Sequence, residues 1–172
     1  MVDWSLTASR SVADGVVLVV PPDHDAPEEA DIVVNGGATR SDYVRAGLAA
    51  VPAKAVVILV HDAARPFASP ALFRAVVAAV HDGADAAIPG VAVTDTIKQV
   101  RDGQVVATLD RDTLVAVQTP QAFSAGALRR AHASGGEATD DAALVEAFGG
   151  RVVVVPGDPA NTKITRRADL GS

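Results

Sequence analysis

The stretch Ala55-Val-Val-Ile-Leu-Val60-His61-Asp62-Ala63-Ala64-Arg65-Pro66 decides the fold, because an apolar, mostly β-branched run stops abruptly at a charged, small-residue loop. A short run that is apolar at every position suits a strand covered on both faces, as in parallel sheets. Comparable runs occur at Gly15 to Val20, Asp31 to Val34, Ala84 to Val91 and Arg151 to Val155, each bounded by Pro, Gly, Asn or Asp. Between them lie helix-like segments: Ser41 to Ala50, Pro70 to His81, Ser124 to Ala133 and Asp140 to Phe148. Ser69 suits an N-cap with Pro70 at the first helical position, Thr139 suits another before an acidic pair, and Ser41 can cap a third. Gly83, Gly135 and Gly149 stand where helices should stop. The alternation predicts an α/β fold, a three-layer doubly wound, mostly parallel sheet that binds ligands at the carboxyl ends of its strands. Functional loops should therefore follow Val34, Val60, Val91 and Val155.

One region breaks the alternation. Thr96-Ile-Lys-Gln-Val100, then Asp102-Gly103, then Gln104-Val-Val-Ala-Thr108 reads as a hairpin with a tight turn, expected to project as an arm over about residues 96–113. The 172 residues are the length of one ordinary domain, so a single domain over 1–172 is expected. Hydrophobic residues make up 49% and aromatics only 3%, so the core must be built from Val, Ala, Leu and Ile. The absence of cysteine removes disulfides, thiolate metal sites and cysteine nucleophiles together. No apolar stretch reaches transmembrane length and no leader-like run opens the chain, so a cytoplasmic protein with no membrane partner is expected. The formal net charge of −6 argues against nucleic acid as a partner, and an anionic ligand must be held by a local cluster of donors.

Candidates for that cluster follow the strands. Asp62 either binds a divalent cation that neutralises phosphate oxygens, or caps a turn and pairs with Arg65. Gly36 and Gly37 either let a flat base or a phosphate lie on bare backbone amides, or form a plain tight turn. The run Thr94-Asp95-Thr96-Ile97-Lys98 offers hydroxyls, a carboxylate and an ammonium, though such residues are also common on edge strands. Arg111 with Gln118-Thr119-Pro120-Gln121, the helix start Thr139-Asp140-Asp141, and Asn161-Thr162-Lys163-Ile164-Thr165 complete the set. Four of these groups follow expected strands and should converge on one edge of the sheet.

The motifs V-H-D-A-A-R-P, T-D-T-I-K, Q-T-P-Q-A-F, T-D-D-A and N-T-K-I-T, in this order, resemble those of the 2-C-methyl-D-erythritol 4-phosphate cytidylyltransferase family, over about Trp4 to Leu170. The resemblance implies transfer of CMP from CTP to methylerythritol phosphate in non-mevalonate isoprenoid biosynthesis, with Mg²⁺ as cofactor. It makes Asp62 a ligand of Mg²⁺ and places Ala63, Gly36, Gly37 and Tyr43 beside the nucleotide. Thr96, Thr119 and Thr139 would bind methylerythritol phosphate, together with Arg111 reaching over on the arm of a second subunit. Lys163 would hold phosphate in the transition state, and a homodimer through the arm is implied. Alternatives are a non-catalytic nucleotide-binding remnant and a cytidylyltransferase for another polyol phosphate, such as ribitol 5-phosphate.

Two departures from the family pattern bear on these expectations. Family members open with a strand and a glycine-rich, basic loop, whereas Asp3-Trp4-Ser5-Leu6 resembles the helix that follows that loop. An N-terminally incomplete chain is expected on this ground, with a gap in the sheet where the strand belongs. Tyr43 stands where the family usually has Ser in its G-G-x-x-R-x-x-S pattern.

Overall fold

The structure is a computed structural model that describes residues 1–22, 30–133, 135–136 and 138–166. Helix α1 (Val2–Arg10) opens the chain, followed by β1 (Val17–Val20), β2 (Ile32–Asn35), α2 (Arg40–Ala50), β3 (Val57–Val60) and α3 (Pro70–His81). Strand β4 (Ala86–Ala92) leads into the arm, β5 (Lys98–Arg101) and β6 (Gln104–Thr108). A 3-10 turn at Arg111–Thr113 then precedes β7 (Val115–Val117), β8 (Gln121–Ser124), α4 (Ala125–Ala133), α5 (Asp141–Ala147) and β9 (Val152–Pro156).

The five apolar runs become β1, β2, β3, β4 and β9. Strand β8 lies between β3 and the start of β4, β7 pairs with the end of β4 along the same edge, and β9 runs along the other edge of β4. Since β8 is antiparallel to both β3 and β4 while β9 is parallel to β4, strands β3, β4 and β9 share one direction. Strands β7 and β8 oppose them, so this sheet is more mixed than the sequence suggested. Val115-Ala-Val117 is only three residues long and Gln121-Ala-Phe-Ser124 has no β-branched apolar run, so it is pairing with β3 and β4 that makes them strands.

Strands β1 and β2 pair only with each other, in parallel. Among the described residues, β1 and β3 therefore each keep one edge without a strand partner. Helix α2 joins the two pieces by packing on β1, β2 and α4, while α4 packs on β3 and β8. At the outer edge, Ile32 and Val33 of β2 are exposed rather than buried as expected.

Along β4 the side chains alternate between two cores. Ala86 and Ile88 join Ile58, Phe123, Leu128 and Val145 beneath α4 and α5, whereas Ala87 joins Val76, Val80 and Ala122 beneath α3. Phe123 and Leu128 are wholly buried, each contributing roughly 1.5–3 kcal/mol by leaving water. Alanine at 86, 87 and 122 lets the helices approach the sheet closely.

The Ser69 hydroxyl accepts from Leu72 N at 3.3 Å with Pro70 opening α3, as the sequence suggests. Two other caps fall one or two residues away from expectation. Thr39, not Ser41, caps α2, because Thr39 and Asp42 satisfy each other's backbone N–H in a capping box. Asp140, not Thr139, caps α5, its Oδ1 accepting from Ala143 N at 2.9 Å. The hairpin of β5 and β6 forms as expected, with Asp102 and Gly103 both at positive φ (49° and 78°), as a two-residue turn of this hand requires. Its Val100, Val105 and Val106 are more than half exposed.

Candidate functional site

Asp62 follows β3 by two residues, and its Oδ2 accepts from Lys163 Nζ at 2.7 Å across 101 residues of sequence. The carboxylate is therefore not paired with Arg65. That guanidinium donates to the backbone oxygens of Asn161 (2.7 Å) and Val117 (3.4 Å), while Arg65 N closes a turn on Asp62 O at 2.9 Å. Among the described residues, Asp62 Oδ1 has no hydrogen-bonding partner.

Lys163 reaches Asp62 on a segment without helix or strand. Gln118 supports the turn before it: its Oε1 accepts from Asp158 N (3.1 Å), and its Nε2 donates to Asp158 O (2.8 Å) and Asn161 O (3.2 Å). Asn161 Nδ2 in turn donates to Thr119 O at 2.9 Å, and Ile164 N donates to Ala64 O at 2.8 Å. Gln118 and Asn161 are both buried, and a buried amide without partners would cost about 1–3 kcal/mol.

Thr119 is also buried, at 7% exposure. Its hydroxyl accepts from Asp62 N at 3.0 Å and lies 3.1 Å from His61 Nδ1. Its visible engagement is thus with the Asp62 backbone and an imidazole. Burial pushes the His61 ring down to about 4, against the Arg65 backbone and the Asp62 charge, which act in the other direction. The ring is neutral at pH 7, lies 5.0 Å from the Phe73 ring, and its Nε2 is buried without a partner.

A second polar cluster ties the glycine turn to α5. Asp141, wholly buried, accepts from Arg40 at 2.7 Å on Oδ2 and faces His132 Nε2 at 2.8 Å on Oδ1. Burial alone would raise the Asp141 carboxyl, but the bonds from His132 and Arg40 outweigh it and hold it below the ordinary carboxylate range. Gln121 Nε2 donates to Asp140 Oδ2 at 3.1 Å, which connects Thr139 and its neighbours to the segment carrying Thr119.

A Cβ on Gly36 would lie 2.5 Å from two atoms of the Tyr43 ring, and one on Gly37 would lie 2.5 Å from Asp42 Cβ. A side chain at either position would force its neighbour to shift, and the Tyr43 ring rests against Gly36. Ala63, half-buried, takes the Ser5 hydroxyl on its carbonyl at 3.3 Å.

The structure thus brings Asp62, Ala63, Thr119 and Lys163 together. Thr96 and Arg111 stand apart at the base of the arm, both exposed, with Arg111 donating to Thr94 O at 2.7 Å. Sequence reasoning placed Arg40, His61, Gln118, Gln121, Asp141 and Asn161 in or beside its motifs without giving any of them a role of its own. Polar side chains flanking strand ends were the available signal, but the sequence does not say which of them turn inward.

A carboxylate, an ammonium and hydroxyls at the carboxyl end of β3, on a sheet flanked by helices, define an α/β nucleotidyltransferase fold, and solved structures share it. The structure of 2-C-methyl-D-erythritol 4-phosphate cytidylyltransferase from Thermus thermophilus superposes with a TM-score of 0.88 at 38% identity, covering 98% of this chain and 84% of that one. The family model described as "IspD: 2-C-methyl-D-erythritol 4-phosphate cytidylyltransferase" matches residues 1–172, and the chain belongs to that family. The 2-C-methyl-D-erythritol 4-phosphate cytidylyltransferase of Saccharopolyspora erythraea is 49% identical over 168 residues, covering 90% of this chain and 75% of the relative. The bifunctional enzyme IspD/IspF of Nitratidesulfovibrio vulgaris (strain DP4) is 47% identical over 175 residues, covering 91% of this chain. The chain spans 44% of the length of that bifunctional relative.

Proposed function

We propose that this chain transfers CMP from CTP to 2-C-methyl-D-erythritol 4-phosphate, giving 4-diphosphocytidyl-2-C-methyl-D-erythritol and pyrophosphate. The observation that carries the proposal is the Lys163–Asp62 pair at 2.7 Å, a cation and a carboxylate held together at the carboxyl edge of β3. Membership of the family supports the choice of substrates.

A phosphate oxygen of methylerythritol phosphate attacks the α-phosphorus of CTP, forming one P–O bond as the bond to pyrophosphate breaks. The nucleophile belongs to the substrate, so the chain's task is to hold two polyanions in line and offset the charge that builds on the non-bridging oxygens. Without ligand, Lys163 and Asp62 neutralise each other. An incoming phosphate competes for the ammonium and draws Lys163 towards the α-phosphate. Gly36, Gly37, Tyr43 and Ala63 border the nucleotide. Thr96, Thr139 and Arg111 bind the acceptor, the last reached on the arm of a second copy, whose exposed valines suit a homodimer. Thr119 borders the same acceptor while its hydroxyl steadies the Asp62 backbone.

The donor set fits Mg²⁺ in one way only. No group of three or more His, Cys, Asp or Glu side chains among the described residues makes an all-protein cage, but Asp62 Oδ1 is available, and Mg²⁺ is commonly held by one or two carboxylates plus substrate phosphates. When bound there, the ion would supply charge neutralisation to the phosphate oxygens. The family's glycine-rich basic loop has no counterpart between Met1 and Ser172, so the outer phosphates of CTP are assigned to no residue of this chain. No helix among the described residues is long and apolar enough to cross a membrane, and a cytoplasmic location is part of the proposal.

The test is pyrophosphate release from CTP with methylerythritol phosphate, for this chain and for an in-frame upstream extension carrying such a loop. Asp62→Ala and Lys163→Ala should each lower kcat by about a hundredfold or more, the scale for losing a charge-stabilising group, with an unchanged circular dichroism spectrum. Ribitol 5-phosphate should be the poorer acceptor. A folded Asp62→Ala protein working at the unmodified rate, or an inert extension, defeats the proposal.

A further inference from the structure

Lys163 is held at Asp62 by something other than its own burial, since its side chain is 47% exposed. Its neighbours in sequence are the anchored residues. Asn161 is wholly buried and Ile164 is 6% exposed, so Lys163 crosses open solvent between two fixed points. The later point is an apolar side chain and the backbone bond from Ile164 N to Ala64 O. The earlier one is polar throughout.

We infer that Gln118 and Asn161 form a buried amide clamp whose role is to position Lys163 against Asp62, making both of them positioning residues. Asn161 Nδ2 fastens the lysine segment to Thr119 O, in the residue whose hydroxyl accepts from Asp62 N, so ammonium and carboxylate are referred to one loop. Gln118 grips the turn from Asp158 to Asn161 through two donations, to Asp158 O and Asn161 O, and two acceptances, from Asp158 N and, at 3.4 Å, from Asn161 Nδ2. Arg65 Nη1 adds a second side-chain donor to Asn161 O, at 2.7 Å. Asn161 Oδ1 is buried without a partner, which leaves Nδ2 as the working half of that side chain. The segment forms no helix or strand ladder, so these bonds fix its backbone in place of one. What the positioned lysine then does rests on the proposed transfer of CMP, but the positioning itself can be read without substrate.

The chain has three lysines, Lys54, Lys98 and Lys163, and competitive acetylation followed by mass spectrometry reports each separately. Lys54 is exposed and serves as the internal control. In Asn161→Ala, Lys163 should acetylate about two- to fivefold faster, the range spanned by exposed ion pairs, while Lys54 keeps its rate. Asp62→Asn, which removes the anion and leaves the clamp, sets the ceiling. If Asn161→Ala fails to fold, Gln118→Glu keeps the shape and the acceptor while losing both donations, and it should also release Lys163. A folded variant of either kind with Lys163 at its original rate overturns the inference, as does an equal rise at Lys54, which would mean general loosening. Protection of Lys163 by CTP in the unmodified chain is a separate arm: its absence counts against the proposed function and leaves the clamp standing.

Discussion

Replacing Asp141 by alanine should destabilise the protein far more than the loss of an exposed charge such as Arg10. The carboxylate is fully buried and both oxygens are used, one facing His132 Nε2 at 2.8 Å and the other accepting from Arg40 at 2.7 Å. Removing one member of a buried ion pair costs about 3–5 kcal/mol, because the remaining charge is left uncompensated. Here the Arg40 side chain is 38% exposed and water recovers part of its loss, so the lower end of that range, about 3 kcal/mol, applies. For a domain of this size each kcal/mol moves Tm by roughly 2–4 °C, so a fall of about 6–12 °C should accompany the change. Urea unfolding followed by circular dichroism measures it directly, and an unchanged m value makes the shift in midpoint a change in stability. Arg10→Ala is the matched control. It breaks a pair of the same length whose side chains are 42% and 44% exposed, and it should cost much less than Asp141→Ala. A cost below about 1 kcal/mol for Asp141→Ala would refute the claim that this buried pair links α2, α4 and α5.

Two further outcomes follow from the geometry. The His61 ring titrates at about 4 in the folded chain against 6.5 when free, so the unfolded state takes up the proton first as pH falls. Its contribution to stability is whole above pH 6.5 and declines towards pH 4, by about 3 kcal/mol at most; His61→Gln should flatten that slope, and an identical pH profile in the variant removes His61 as its source. Gly36→Ala drives a Cβ to 2.5 Å from the Tyr43 ring and should cost about 1–3 kcal/mol in thermal or urea melts, the range for overpacking. Adding Tyr43→Ser should restore most of it, and a double variant as unstable as the single one would show that the ring is not the obstacle.

The elements legible in the sequence were those with enough residues to show a period or a cap. Helix α3 announces itself through Ser69, Pro70 and the apolar stripe of Leu72, Phe73, Val76 and Val80. The hairpin turn at Asp102-Gly103 is equally plain, because few residues other than glycine, asparagine and aspartate accept positive φ. Strands β7 and β8 were not legible, since Val115-Ala-Val117 and Gln121-Ala-Phe-Ser124 become strands only through partners more than twenty residues away. The same distance in sequence hid the pairing at the site. Nothing near Asp62 distinguishes Arg65, three residues on, from Lys163, a hundred residues on, as its cation. The closer one is occupied by the carbonyls of Asn161 and Val117, which only the fold brings within reach.

That exchange of partners explains why the site sits on loops and yet keeps a definite shape. A lone exposed pair such as Lys163–Asp62 contributes little to stability and cannot organise the segments that carry it. Around it, Gln118, Thr119, Asn161 and the Arg65 guanidinium direct their polar groups mainly at main-chain atoms, fastening backbone to backbone across three loops. Stability and chemistry are thereby divided between different side chains. The buried amides and Arg65 hold the loops together, and Lys163 and the outer oxygen of Asp62 remain free to exchange partners when a charged ligand arrives. Had Arg65 been the cation on Asp62, one side chain would have had to do both, and drawing it towards a phosphate would have released the loop that carries it.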